Sequence, residues 1–198
     1  MARLRSFATR FGALALMAGV QLGCSRAPAE GEWYSHWDLD GGCNSSLPAP
    51  GRHNAHGDPA DFCQAAGEGR WVWVVYGAPW CSSSLNQAAR LRSFEQAAGQ
   101  RLTLFTVLTS GSEPLTLPRL ADARAWSGSS AVPFERVLFD PLESDTRTVP
   151  QHLLIGPDGR TWWRWAGPLD TATMLERFDA FASARLPAQA RALPPLNR

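Results

Sequence analysis

Residues 71–76, Trp71-Val72-Trp73-Val74-Val75-Tyr76, are apolar without interruption. A run of that length with two apolar faces predicts a strand inside a sheet covered on both sides. The period then changes. From 82 to about 98, Ala88, Leu91, Phe94 and Ala98 fall near one face of a helix that Gly99 ends. Residues 101–109 are mostly apolar and β-branched, which predicts a second strand. After a loop at 111–118, a short helix is expected over 117–126 and a brief strand over 136–139. Two strand-like segments come next, between Thr148 and Trp165, on either side of Gly156-Pro157-Asp158-Gly159, a turn that predicts a β-hairpin. Gly167-Pro168 interrupts the pattern. A last amphipathic helix spans 171–186, with Met174, Leu175, Phe178 and Phe181 inward.

This order is an α/β layout with a mixed sheet. The helical crossover between the first two strands requires a parallel pair, and the hairpin supplies antiparallel ones. Residues 25 to about 69 do not fit it. They are rich in Gly, Pro, Ser and Asn, with Trp33, Tyr34 and Trp37 as their large apolar group, and predict an irregular extension. The Pro-containing end from 187 is expected to be a frayed tail.

Composition narrows the class. At 198 residues with 44% hydrophobic and 19% charged residues, the chain suits one globular domain rather than a disordered protein. All 19 basic residues are arginine, net charge is +1, and the arginines are scattered, so no nucleic-acid footprint appears. Nine tryptophans are unusual. Of these, Trp162, Trp163 and Trp165 are expected to cover the sheet, with an exposed binding patch as the alternative.

The first two dozen residues belong to targeting rather than fold. Arg3, Arg5 and Arg10 precede a short apolar stretch at 11–20, then Leu22-Gly23-Cys24. The stretch is too short for a stable membrane span and matches a secretory signal over residues 1–23. A cysteine directly after Gly23 is similar to a bacterial lipoprotein processing site, in which Cys24 carries lipid and tethers the chain to a membrane. Cleavage nearby or an uncleaved anchor are the other options. Export places the remaining cysteines, Cys43, Cys63 and Cys81, in an oxidising compartment. Three allow one pair and one free thiol. Cys43 and Cys63 share a loop-rich region and are the natural pair, which leaves Cys81 free.

Cys81 is the chemical centre of the sequence. It comes after the strand and the turn Gly77-Ala78-Pro79-Trp80, and so sits at the first turn of the next helix. Helix N-termini carry partial positive charge and free N–H groups, which favour a thiolate over a thiol. Three residues on stands Ser84, one helical turn away, which either hydrogen bonds to the sulfur or is an ordinary first-turn serine. Trp80 is positioned to shield the sulfur and shape a groove, or to be an aromatic left partly exposed in a turn. His152 either approaches Cys81 or is turned away by strand alternation. His53 and His56 with Cys43 and Cys63 contain metal-ligand residue types, but their spacing fits no standard site.

The strand ending in Ala78-Pro79-Trp80-Cys81, the Thr148-Val149-Pro150 tripeptide, the Leu154-Ile155-Gly156-Pro157-Asp158-Gly159 hairpin and Gly167 before the last helix resemble the thioredoxin superfamily. Within it, the chain most resembles the exported, membrane-tethered TlpA-like redoxins. The resemblance covers 71 to about 183 and not the N-terminal extension. It implies a thioredoxin-like fold over 70–186, a central mixed β-sheet flanked by helices. It also implies that Pro150 is a cis-proline facing the cysteine, and that Trp80, Val149 and Pro150 contact an extended substrate. Residues 24–69 would be the tether and extension, and 187–198 the tail. The departure is Ser84, which stands where dithiol members carry a resolving cysteine. Cys81 and Ser84 thus imply a Cys-x-x-Ser site with restricted, monothiol thiol–disulfide chemistry on protein or small-molecule thiols and disulfides, and with no cofactor. The alternatives are a non-catalytic binding or scaffold module of the cell envelope and, third, a metal-handling protein.

Overall fold

The structure is a computed structural model, and it describes residues 43, 51–144 and 148–183. Cys24, the signal segment, Trp33, Tyr34, Trp37, the last three residues of the helix expected over 171–186 and the tail from 187 lie outside the described residues. Six strands, β1 (His53–Asn54), β2 (Trp71–Gly77), β3 (Leu102–Leu108), β4 (Val137–Phe139), β5 (Gln151–Ile155) and β6 (Thr161–Ala166), form one sheet in the order β1-β4-β3-β2-β5-β6. Strands β2, β3 and β4 are parallel to their neighbours among themselves. Strand β5 runs antiparallel to β2, β6 to β5, and β1 to β4. The apolar run at 71–76 lies in the interior of this sheet, where both of its faces are covered.

Among the described residues, four α-helices flank the sheet: α1 (Cys63–Gly67), α2 (Ser82–Ala98), α3 (Leu120–Ser130) and α4 (Thr171–Ser183). One face carries Trp73, Val75, Leu104, Val137 and Leu154, packed with Ala88, Leu91 and Phe94 of α2, Trp126 of α3 and Met174, Phe178 and Phe181 of α4. Trp163 and Trp165 are buried there, and Trp162 packs against them at the margin. The other face carries Val72, Val74, Tyr76, Phe105, Leu138 and Ile155 beneath Phe62 and the Ala65 and Ala66 of α1.

Local chemistry sets the boundaries. Gly99 closes α2 at φ 65°, a conformation that favours glycine over residues with a Cβ. Helix α3 begins at Leu120, later than the 117 expected, because the Asp122 carboxylate accepts the Arg119 backbone N–H at 2.9 Å and fixes the N-cap there. Regular structure also begins earlier than Trp71. Strand β1 and the five-residue helix α1 lie within the stretch expected to be irregular. Both are too short for periodicity to reveal, and they form because the sheet gives them something to pack against. Among the described residues, no helix is long and apolar enough to cross a membrane.

Candidate active site around Cys81

Antiparallel pairing of β5 with β2 places Tyr76 opposite Gln151. The end of β2 and the start of β5 therefore lie side by side at the same end of the sheet. Strand β2 runs on into the turn that leads to α2, and Val149–Pro150 leads into β5, so the topology brings these two segments together.

Cys81 is the N-cap of α2, with φ −92° and ψ 113°. Its N–H donates to the Ala78 carbonyl at 3.0 Å, and its carbonyl accepts the first helical bond from Leu85 at 3.0 Å. No side chain caps α2 at this position and no acidic residue occupies its first turn. The positive end of a 17-residue helix is thus open toward the sulfur. Cys81 is a free cysteine and fully buried. Its Sγ lies 3.7 Å from the Val149 carbonyl, to which the thiol donates. The Val149–Pro150 peptide is cis.

Trp80 is 37% exposed beside this buried sulfur, and its indole N–H donates to the buried Ser110 Oγ at 2.7 Å. Ser110 adjoins Thr109, whose N–H donates to the Gly77 carbonyl at 3.0 Å and ties the end of β3 to the end of β2. The Trp80 ring is therefore anchored to the β3 loop while part of it faces solvent. Neither Ser110 nor Thr109 stands out from sequence, because their roles depend on strand pairing.

The Ser84 hydroxyl is buried and makes no hydrogen bond, so the expected contact with Cys81 does not form. The reason is its place on the helix. A Cβ built on Gly77 would lie 3.5 Å from the Ser84 Cβ and 2.9 Å from the Trp126 ring, so Ser84 packs where α2 and α3 meet the end of β2.

His152 is turned away from Cys81. It pairs with Val75 in the sheet and lies on the α2/α4 face, accepting at Nδ1 the Trp73 indole N–H at 3.1 Å. Burial pushes its pKa from the ordinary 6.5 to about 3, with the Gly167 backbone acting in the other direction. It is a neutral core histidine.

Cys43 and Cys63 are joined by a disulfide with a 2.12 Å S–S bond. Both sulfurs are thereby withdrawn from the metal reading. His56 Nε2 instead lies 3.0 Å from Glu135 Oε1, a bond that holds the Glu135 carboxyl below its usual range. His53 packs near the Phe139 ring. Among the described residues, no group of three or more His, Cys, Asp or Glu is arranged to hold a metal ion. The disulfide borders the same apolar cluster as Cys81 but at the other end of it. Cys43 N–H donates to the carbonyl of Gly159, in the turn between β5 and β6. From Val72 to Gly77 the sheet extends roughly 16 Å, which separates the disulfide from Cys81.

No protein-family model and no curated protein sequence matches the chain. Solved structures do. One is a thiol:disulfide interchange protein from a Bacteroides species, with TM-score 0.52 and 19% identity over 71% of this chain and 90% of that one. A second is a secreted Mycobacterium tuberculosis disulfide oxidoreductase, with TM-score 0.50 and 14% identity over 64% and 92% of the two chains. A third is a DsbF homologue from Corynebacterium diphtheriae, with TM-score 0.50 and 11% identity over 67% and 86%. The fold is the thioredoxin fold, with a central mixed sheet flanked by helices.

Proposed function

We propose that this protein performs thiol–disulfide exchange outside the cytoplasm through Cys81 as its single reactive sulfur. The observation that carries the proposal is a free cysteine at the uncapped start of α2, with its sulfur on the Val149 carbonyl. In the forward step the Cys81 thiolate attacks one sulfur of a substrate disulfide. A Cys81–substrate disulfide forms, the substrate S–S bond breaks, and the other half leaves as a thiolate that takes a proton from water. An external thiol then attacks the mixed disulfide on its substrate sulfur, forms a new substrate disulfide and returns Cys81 to the thiol. Ser84 leaves no sulfur one turn away to complete the cycle internally, and the Cys43–Cys63 disulfide is too distant to do so.

Since Cys81 is fully buried, each encounter requires the Val149–Pro150 loop to draw back. Val149, Pro150 and Trp80 are then the groups that meet the substrate chain. Export is supported by the Cys43–Cys63 disulfide, a bond suited to oxidising compartments, and by a secreted structural neighbour. Lipid on Cys24 would hold the protein at the membrane, which comparison of the membrane fraction for the native chain and Cys24→Ser tests.

The direct test incubates purified protein with glutathione disulfide, quenches with acid and locates the adduct by peptide mass. The expected result is one glutathione adduct on Cys81, absent in Cys81→Ala. No adduct over hours in the folded protein would overturn the exchange reading. That outcome would favour the second one, a non-catalytic binding module of the cell envelope, to which the full burial of Cys81 already lends weight.

A further inference from the structure

Gln87 is fully buried on the stripe of α2 that otherwise presents Ala88, Leu91 and Phe94 to the core. A buried amide is costly unless its polar atoms are satisfied. Its Oε1 accepts the Leu169 N–H at 2.7 Å, and its Nε2 donates to the Met174 sulfur at 3.4 Å. Three residues on, Arg90 donates from Nη1 to the Leu169 carbonyl at 3.2 Å. Helix α2 thus holds both backbone polar groups of one residue in the connection between β6 and α4.

Two residues before Leu169, the Gly167 N–H donates to the Pro150 carbonyl at 2.8 Å. Pro150 adjoins Val149, whose carbonyl accepts the Cys81 thiol. These bonds close a ring: from Cys81 to Val149 and Pro150, on to Gly167 and Leu169, and back through Gln87 and Arg90 along α2 to Cys81. We infer that Gln87 and Arg90 are positioning residues for Cys81. By fixing Leu169 on α2 they hold the Val149–Pro150 loop over the sulfur, and so set how often Cys81 is open to an incoming disulfide. The inference rests on the exchange reading above, in which that loop must move.

The test measures thionitrobenzoate release from 5,5′-dithiobis(2-nitrobenzoate) by the full chain carrying Cys24→Ser, so that Cys81 is the one thiol outside the disulfide, under native conditions, across low urea concentrations. Cys81 sulfur attacks the reagent disulfide, forms the mixed disulfide and expels one thionitrobenzoate anion. Loss of a hydrogen bond that closes the loop shifts a local opening by about fivefold. The rate is therefore expected to rise about fivefold in Gln87→Met, less in Arg90→Met, and to stay flat with urea in both. Val137→Ala, which removes buried volume from β4 away from this ring, lowers global stability and leaves the native rate unchanged. Should Gln87→Met fail to fold, Arg90→Met at an exposed position decides the matter. Rates unchanged in the folded strap variants, or raised equally by Val137→Ala, overturn the positioning role while leaving Cys81 exchange intact. A native chain that reacts only when urea unfolds it globally overturns both.

Discussion

The two faces of the sheet are built differently. One is covered by α2, α3 and α4, with Trp73, Leu91, Phe94, Trp126 and Phe178 interlocked beneath them. The other is covered by a helix of five residues, with the Cys43–Cys63 disulfide at one end and Cys81 at the other. The thick face secures the fold through apolar packing, and burial keeps its His152 neutral. Among the described residues the thin face has little helix to cover it, and a cross-link supplies part of the constraint that packing provides opposite. It is on this thin face that the sulfur lies, screened by one carbonyl and a loop. Chemistry that needs a chain segment to move is better placed where less of the core must move with it.

The largest effect expected from disturbing this contrast lies on the thick face. With a folded-state pKa near 3 against an ordinary 6.5, His152 takes up its proton in the unfolded chain first. Stability is then complete above about pH 6.5 and is lost as pH falls toward 3. The loss over the whole window is up to about 5 kcal/mol. Urea unfolding at pH 7 and at about pH 4.5 is expected to differ by about 3 kcal/mol from this group. His152→Phe, stable or not at neutral pH, is expected to remove most of that difference. If the variant keeps it, other groups set the acid sensitivity.

Next comes the cross-link. Cys43 and Cys63 are 20 residues apart, a loop whose closure stabilises by about 3 kcal/mol in the chain-entropy account. The double variant Cys43→Ser/Cys63→Ser is expected to lose that amount in urea unfolding and to react faster with thiol reagents at Cys81. A double variant as stable as the native chain would mean that α1 packs well enough without it. The smallest effect belongs to Trp80→Phe, which removes the bond to Ser110. It is expected to cost about 1 kcal/mol, and to change the rate of adduct formation at Cys81 more than it changes the unfolding midpoint.

How far the sequence reveals this arrangement depends on the kind of signal. The central strand, the helix over 82–98, the hairpin around Gly156 and Gly159, and the free cysteine at a helix start are all local patterns, and they appear in the structure as β2, α2, β5–β6 and the N-cap at Cys81. The direction of His152 was not legible, because side-chain parity has meaning only once Val75 is known to be its partner. Ser84 illustrates the same limit. One turn of helix put it near the sulfur in sequence, but tertiary packing sends it onto Gly77 and Trp126. Gln87 did leave a trace, as a polar residue beside Ala88, Leu91 and Phe94 on the helix's apolar side, yet its partner Leu169 is 82 residues away. The His56–Glu135 pair is likewise beyond any local pattern.

The central claim is that Cys81 reacts from the folded state while the Cys43–Cys63 bond stays closed. Alkylation of the native protein with iodoacetamide at neutral pH, mapped by peptide mass and compared with urea-denatured protein, tests it most directly. The account predicts label on Cys81 in the native protein, with Cys43 and Cys63 labelled only after reduction. Cys81 that stays unlabelled until the chain is denatured would contradict it, and would leave the thioredoxin fold here as a binding scaffold around a silent thiol.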